Sequence, residues 1–149
     1  MRLLLILLTS LMWMSPLHAE STMITKKSSH SVKVTLDRME AALKEKGVAV
    51  ALRWDHAGAA QGTGMSLRPM EVLIFGNPKL GTPLMQSNPR AGADLPLKVL
   101  AWEDEKGQVW LGYTTADALA ARYDIHDQGE VVKKIGAVLD GLTNQAIQP

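Results

Sequence analysis

Val48-Ala49-Val50-Ala51-Leu52-Arg53-Trp54 is the stretch that decides the fold. Val48, Val50, Leu52 and Trp54 recur at every second position, with Ala49, Ala51 and Arg53 between them, so the spacing predicts a half-buried β-strand. The small alternate residues leave room for a helix or a partner to come close. A second period stands near the far end. Val131, Val132, Ile135, Val138, Leu139 and Leu142 fall on one helical face and predict an amphipathic helix over 130–144. A one-sided strand and a one-sided helix both have to bury their apolar faces, which requires a sheet with helices stacked against it.

Before the deciding strand, Val32 and Val34 alternate with polar residues and predict a short first strand. Thr35 is the candidate N-cap of a helix running to Lys46, with Leu36, Met39 and Leu43 on one face, a Glu40–Lys44 pair one turn apart, and Gly47 as its stop. After the deciding strand, residues 55–68 are rich in Ala and Gly, with room for one helical turn near Ala59-Ala60. Met70 to Phe75 is apolar on both faces apart from Glu71, as a central strand is, and Gly76-Asn77-Pro78 ends it. Leu80 to Pro96 reads as a long connection carrying Pro83, Pro89 and Pro96. Leu97–Glu103 and Gln108–Thr114 are two strands joined by the turn Asp104-Glu105-Lys106-Gly107, and Ala118–Tyr123 is a short helix. The expected order is β-α-β-β-β-β-α: an α+β domain with a mainly antiparallel five-stranded sheet and two main helices on one face.

The N-terminus has a different character. Arg2, the apolar run Leu3–Met14, the break at Ser15-Pro16 and the small residue of Leu17-His18-Ala19 together predict a signal peptide over 1–19, cut after Ala19. The run is short for a bilayer span, so no stable membrane insertion is expected after cleavage. Residues 20–28 are polar and expected to be flexible, and residues 29–145 form the single domain. The expected destination is the periplasm or the cell exterior. The 149 residues carry 16 basic and 15 acidic side chains, and cleavage removes Arg2 alone, leaving the two signs equal. That balance argues against a nucleic-acid partner. The absence of cysteine excludes disulfides, thiolate metal sites, a Cys nucleophile and an acyl-Cys anchor.

A set of short motifs carries a family resemblance. They are Lys46-Gly47, Asp55-His56, Ala60 with Gly62 or Gly64, Leu67-Arg68-Pro69, Phe75-Gly76-Asn77-Pro78, Leu95-Pro96-Leu97-Lys98, Trp102-Glu103-Asp104, and Gly107 with Val109 and Tyr113. Each is weak alone, but in this order and spacing the chain, from about Ser29 to Leu142, resembles the bacterial family known as domain of unknown function 302. The resemblance implies a fold like a TATA-binding-protein repeat, β-α-β4-α, and homodimers; it implies no activity.

Three polar positions at strand ends are the candidate ligand-binding residues: His56, Asn77 and Asp94. His56 follows the deciding strand. Its sequence neighbour Asp55 does not face it, since side chains alternate, so Asp94 on the long connection is the candidate orienting carboxylate. Against this stands a simpler role for each, as a cap or a loop fastener. His30, His56 and His126 lack metal-ligand spacing, the methionines are scattered, and no GxSxG or phosphate loop is present. Neither a metal nor a cofactor is expected. Trp54, Trp102 and Trp110 are read as core, interface or cavity-lining residues, with Trp102 and Trp110 paired across one hairpin. The reading that follows is a secreted, non-enzymatic module for a small ligand, as a homodimer. The competing classes are a small enzyme with His56 as general base beside Asp94, and a structural or protein-interaction module.

Overall fold

Ser31, not Thr35, opens the first helix. In the computed structural model, which describes residues 22–149, the Ser31 hydroxyl accepts the Val34 N–H at 3.3 Å and helix α1 spans Val32–Glu45. The expected strand at Val32 and Val34 is therefore the first turn of α1. Two valines separated by one residue fit either period, and the cap decides between them. Thr35 lies inside the helix, fully buried, where its hydroxyl bonds the Ser31 carbonyl at 2.8 Å and the Ser28 hydroxyl at 2.6 Å. Gly47 follows the helix with φ +64°, a conformation that costs glycine little.

The first strand, β1, is Met23–Ser28, within the segment expected to be flexible. It pairs antiparallel with the strand at Val109–Thr114 along its whole length. Its polar composition is that of a sheet edge. Lys26 reaches back to the last helix, 2.7 Å from Asp140 Oδ1, 2.9 Å from Thr143 Oγ1 and 2.7 Å from Asn144 Oδ1. The expected signal peptide lies outside the described residues.

Strands β2 (Ala49–Asp55), β3 (Met70–Gly76), β4 (Leu97–Glu103) and β5 (Val109–Thr114) complete a five-stranded antiparallel sheet in the order β1-β5-β4-β3-β2. The β4–β5 turn closes on Asp104, whose Oδ1 accepts the Lys106 and Gln108 N–H groups, with Gly107 at φ +76°. Trp102 stands opposite Trp110, as the hairpin predicts. Helix α2 (His56–Gln61) follows β2, α4 is Ala116–Arg122 and α5 is Gly129–Ile147. The stretch expected as a long connection is instead helix α3 (Pro78–Ser87) and a 3-10 turn at Pro89–Ala93. Of the prolines in that stretch, Pro89 starts the 3-10 turn, where no N–H is needed, while Pro83 lies inside α3, which Pro78 opens at its first position.

Helices α1 and α5 pack on each other and on one sheet face. Leu36, Met39 and Leu43 of α1, Ile135, Leu139 and Leu142 of α5, and Leu73, Val99 and Leu111 of the sheet are all 2 % exposed or less. The deciding strand differs from expectation: β2 is an edge strand, exposed along most of its length, with a bulge between Val50 and Leu52. Leu52 and Trp54 remain 46 % and 49 % exposed on the sheet face away from the helices, opposite Ile74 and Val72. Arg53 points to the helix side and ties β2 to α1, with its guanidinium 2.6 Å from Glu71 and 2.7 Å from Asp37. Burial pulls the Arg53 pKa down, but the Glu71 and Asp37 carboxylates outweigh it and the pKa is raised.

Candidate functional site

Ala49 and Ala51 do not draw a helix down onto β2. They leave a space. The inner face of the sheet is filled by Leu73, Val99 and Leu111, and at the β2 edge the alanines stop short of the helices. The result is a half-open cavity of about 500 Å³. Its floor is Ala49, Ala51, Phe75 and Leu97, and its walls are Leu43 of α1 with Ile135, Val138, Leu139 and Leu142 of α5. Its roof is α3, with Leu80, Gly81 and Met85, continued by Leu95 and Pro96. The side chains that line it include no ionisable group, and Asn77 and Thr82 are the polar ones among them.

Helix α3 is fastened at both ends. Asn77 is its N-cap, with Oδ1 accepting the Lys79 N–H at 3.0 Å. At the far end Ser87 donates to Asp127, and Asn88 Nδ2 donates to the Tyr123 carbonyl at 2.8 Å. Asp94 ends the 3-10 turn. Its Oδ2 accepts the Tyr123 hydroxyl at 2.8 Å and Arg122 Nη1 at 2.6 Å. Those two donors, the tyrosine first, hold the Asp94 carboxyl below the usual carboxylate range. The same bond raises the Tyr123 phenol. Asp94 thus staples the segment after α3 to the end of α4.

Of the three residues read from the sequence, Asn77 lines the cavity, Asp94 is outside the lining and serves as that staple, and His56 is elsewhere. The register explains the separation. Ala49 pairs with Gly76 at one end of β2 and Asp55 with Glu71 at the other. Six residues of extended chain span about 20 Å, so His56 leaves the sheet at the end opposite Asn77. The grouping of all three at one edge, and the His56–Asp94 pair, do not form. Asp55 instead caps α2, accepting the Gly58 N–H at 2.8 Å, and His56 is the first helical residue. A smaller cleft of about 270 Å³ lies there, lined by Asp55, Gln61, Ser66 and Glu71 among others. Its two carboxylates are already engaged, by the α2 cap and by Arg53.

The lining residues of α3 lie in a stretch whose prolines predict a connection. A usable signal was present. Asn77-Pro78 is a capping residue followed by proline at the first helical position, and Leu80 and Leu84 are spaced four apart. Among the described residues, no group of three or more His, Cys, Asp or Glu could hold a metal ion, and no helix is long and apolar enough to cross a membrane.

Known proteins share this architecture. An uncharacterised conserved protein from Bacillus stearothermophilus, described as DUF302, has a crystal structure that superposes with a TM-score of 0.76. The match covers 85% of this chain and 98% of that one at 21% identity, and so speaks to the fold. Two longer relatives, both named fluoride-specific ion channel FluC 1, come from Brucella suis biovar 1 and Brucella abortus biovar 1. Each is 42% identical over 115 residues, 77% of this chain. The matched stretch is 45% and 43% of those proteins, so the chain spans less than half their length. The family model for the domain of unknown function DUF302 matches residues 24–142, from β1 into α5, and the chain belongs to that family.

Proposed function

We propose that this domain is a non-enzymatic binding module that holds a small apolar molecule under α3. One observation carries the reading: a cavity of about 500 Å³ whose lining side chains are aliphatic or aromatic except for Asn77 and Thr82. Ligand sites fall between roughly 300 and 1,000 Å³ and combine apolar walls with a few polar groups. Each 100 Å² of apolar ligand surface removed from water contributes about 2.5 kcal/mol before the cost of association. General acid–base chemistry needs a titratable group within reach of substrate, and the lining offers none, which favours binding over catalysis. The test is a titration of the mature chain with N-phenyl-1-naphthylamine, a neutral dye that brightens in apolar surroundings. Saturable brightening that is lost in Ala51→Trp supports the reading; no saturable signal contradicts it.

The relatives named as fluoride channels fit the same view. Aliphatic walls cannot replace the hydration of a small anion, so in such chains this stretch is an accompanying module and not the ion path. Export and dimerisation complete the proposal. Residues 1–19 direct the chain to the periplasm, and N-terminal sequencing of exported protein begins at Glu20. The face bearing Leu52 and Trp54 packs on its counterpart in a second copy, because an apolar sheet face of this kind is costly to leave in water. Sedimentation of wild type as a dimer, and of Trp54→Ser as a monomer, tests that contact.

A further inference from the structure

The polar part of the cavity lining is chemically one-sided. An asparagine side chain has one accepting oxygen and one donating NH2 group. The Asn77 oxygen is taken by the Lys79 N–H at 3.0 Å, in the bond that starts α3. That bond also fixes which end of the amide is which: the oxygen is turned to the cap, and the NH2 group, with no protein partner among the described residues, is left to donate. The Thr82 hydroxyl stands further along the same helix, among the lining residues. Charge is held away from the interior. The Lys98 ammonium lies on the carbonyls of Asp94 and Pro96, and Arg122 on the Asp94 carboxylate. An ionised head group drawn in among Leu80, Leu95 and Val138 would lose its hydration without a counter-charge in the lining.

We infer that the ligand is an uncharged amphiphile: its hydrocarbon body fills the cavity, and a single carbonyl-type oxygen accepts a hydrogen bond from the Asn77 amide in the lining. This rests on the binding reading above and narrows it to a chemical class. Asn77 then does two jobs with its two ends, capping the roof helix and orienting what lies beneath it.

The two jobs are separable. Asparagine, aspartate and serine are comparable N-caps, so Asn77→Asp keeps the cap oxygen and removes the donor. The assay is displacement of N-phenyl-1-naphthylamine from the mature chain by three probes of similar length. They are 2-undecanone, its hydrocarbon isostere 2-methyl-1-undecene, and undecanoate. On wild type, undecanoate binds about tenfold or more weakly than the ketone. Asn77→Asp weakens the ketone by roughly three- to tenfold, the worth of one neutral hydrogen bond, and leaves the isostere unchanged. A thermal melt confirms that the variant is folded; if it is not, Asn77→Gly, which also lacks the donor and is tolerated at an N-cap, asks the same question. Should the dye fail to bind wild type saturably, this inference and the binding reading fall together. Should dye and isostere bind while the variant affects ketone and isostere alike, only the head-group assignment is overturned. Undecanoate binding more tightly than the ketone overturns it too, in favour of an anionic ligand.

Discussion

Replacing Ala51 by leucine should do the opposite of what a larger residue does elsewhere in the sheet. Ala101, on β4, is 0 % exposed beneath the helices, and Ala51, on β2, lines the cavity. Leucine at either position adds three carbons. At Ala101 they have nowhere to go, and overpacking costs about 1–3 kcal/mol. At Ala51 they enter open space. Full burial of three carbons would contribute about 2.4 kcal/mol at ~0.8 kcal/mol each. The cavity is half open, and ordering a leucine costs roughly 0.5–1 kcal/mol, so the expected net gain is about 1 kcal/mol. The two variants should therefore differ by about 2–4 kcal/mol, in opposite directions from wild type. Urea denaturation reads this directly as midpoints shifted at constant slope. The melting temperature of Ala51→Leu should rise by roughly 3–5 °C. A loss of stability in Ala51→Leu matching that of Ala101→Leu would mean that the space over β2 is closed, and the account of the site would fail.

Ile135 is 2 % exposed between α5 and the sheet, so Ile135→Asp should cost several kcal/mol and unfold the domain; a wild-type far-UV melt would refute the packing of α5. Asp94 has a lowered pKa through Tyr123 and Arg122, so its contribution is fully present above the unfolded carboxylate value of about 3.9 and is lost as pH falls through the lower folded value. The melting temperature of wild type should accordingly exceed that of Asp94→Asn by a constant margin above about pH 5, and the margin should close below about pH 4; a margin independent of pH would deny Asp94 its role as a charged staple. Arg53 is 21% exposed on its side chain and holds Glu71, itself 17% exposed. Arg53→Ala should cost about 1–3 kcal/mol by leaving that carboxylate short of a partner, with Arg53→Ala/Glu71→Ala recovering part of the loss in a double-mutant cycle.

The sheet and its two main helices were legible because their apolar residues recur at a period that packing enforces. Val131 to Leu142 and Met70 to Phe75 read as they fold. Legibility failed where one period was too short to establish itself, as at Val32 and Val34. It failed again where an edge strand needed no apolar period, as at Met23–Ser28. Proline hid α3, since a breaker inside a helix and a starter at its first position are the same letter. At the site, Asn77 could be found because a cap beside a strand end is a local feature. The distance between His56 and Asp94 could not, because it depends on the antiparallel register of β2 on β3. The cavity itself was written as the two small residues Ala49 and Ala51, whose significance lies in what the helices above them fail to reach.

The claim that matters most is that an apolar molecule lodges under α3 and not on the opposite face of the sheet. Methyl-labelled NMR during a titration with N-phenyl-1-naphthylamine tests it in one experiment. The account predicts saturable shifts at Leu80, Leu95, Leu97, Val138 and Leu139, which line the cavity, with Leu52 and Val72 unmoved. Shifts confined to Leu52, Val72 and Ile74 would place the apolar binding surface on the other side of the sheet and contradict it.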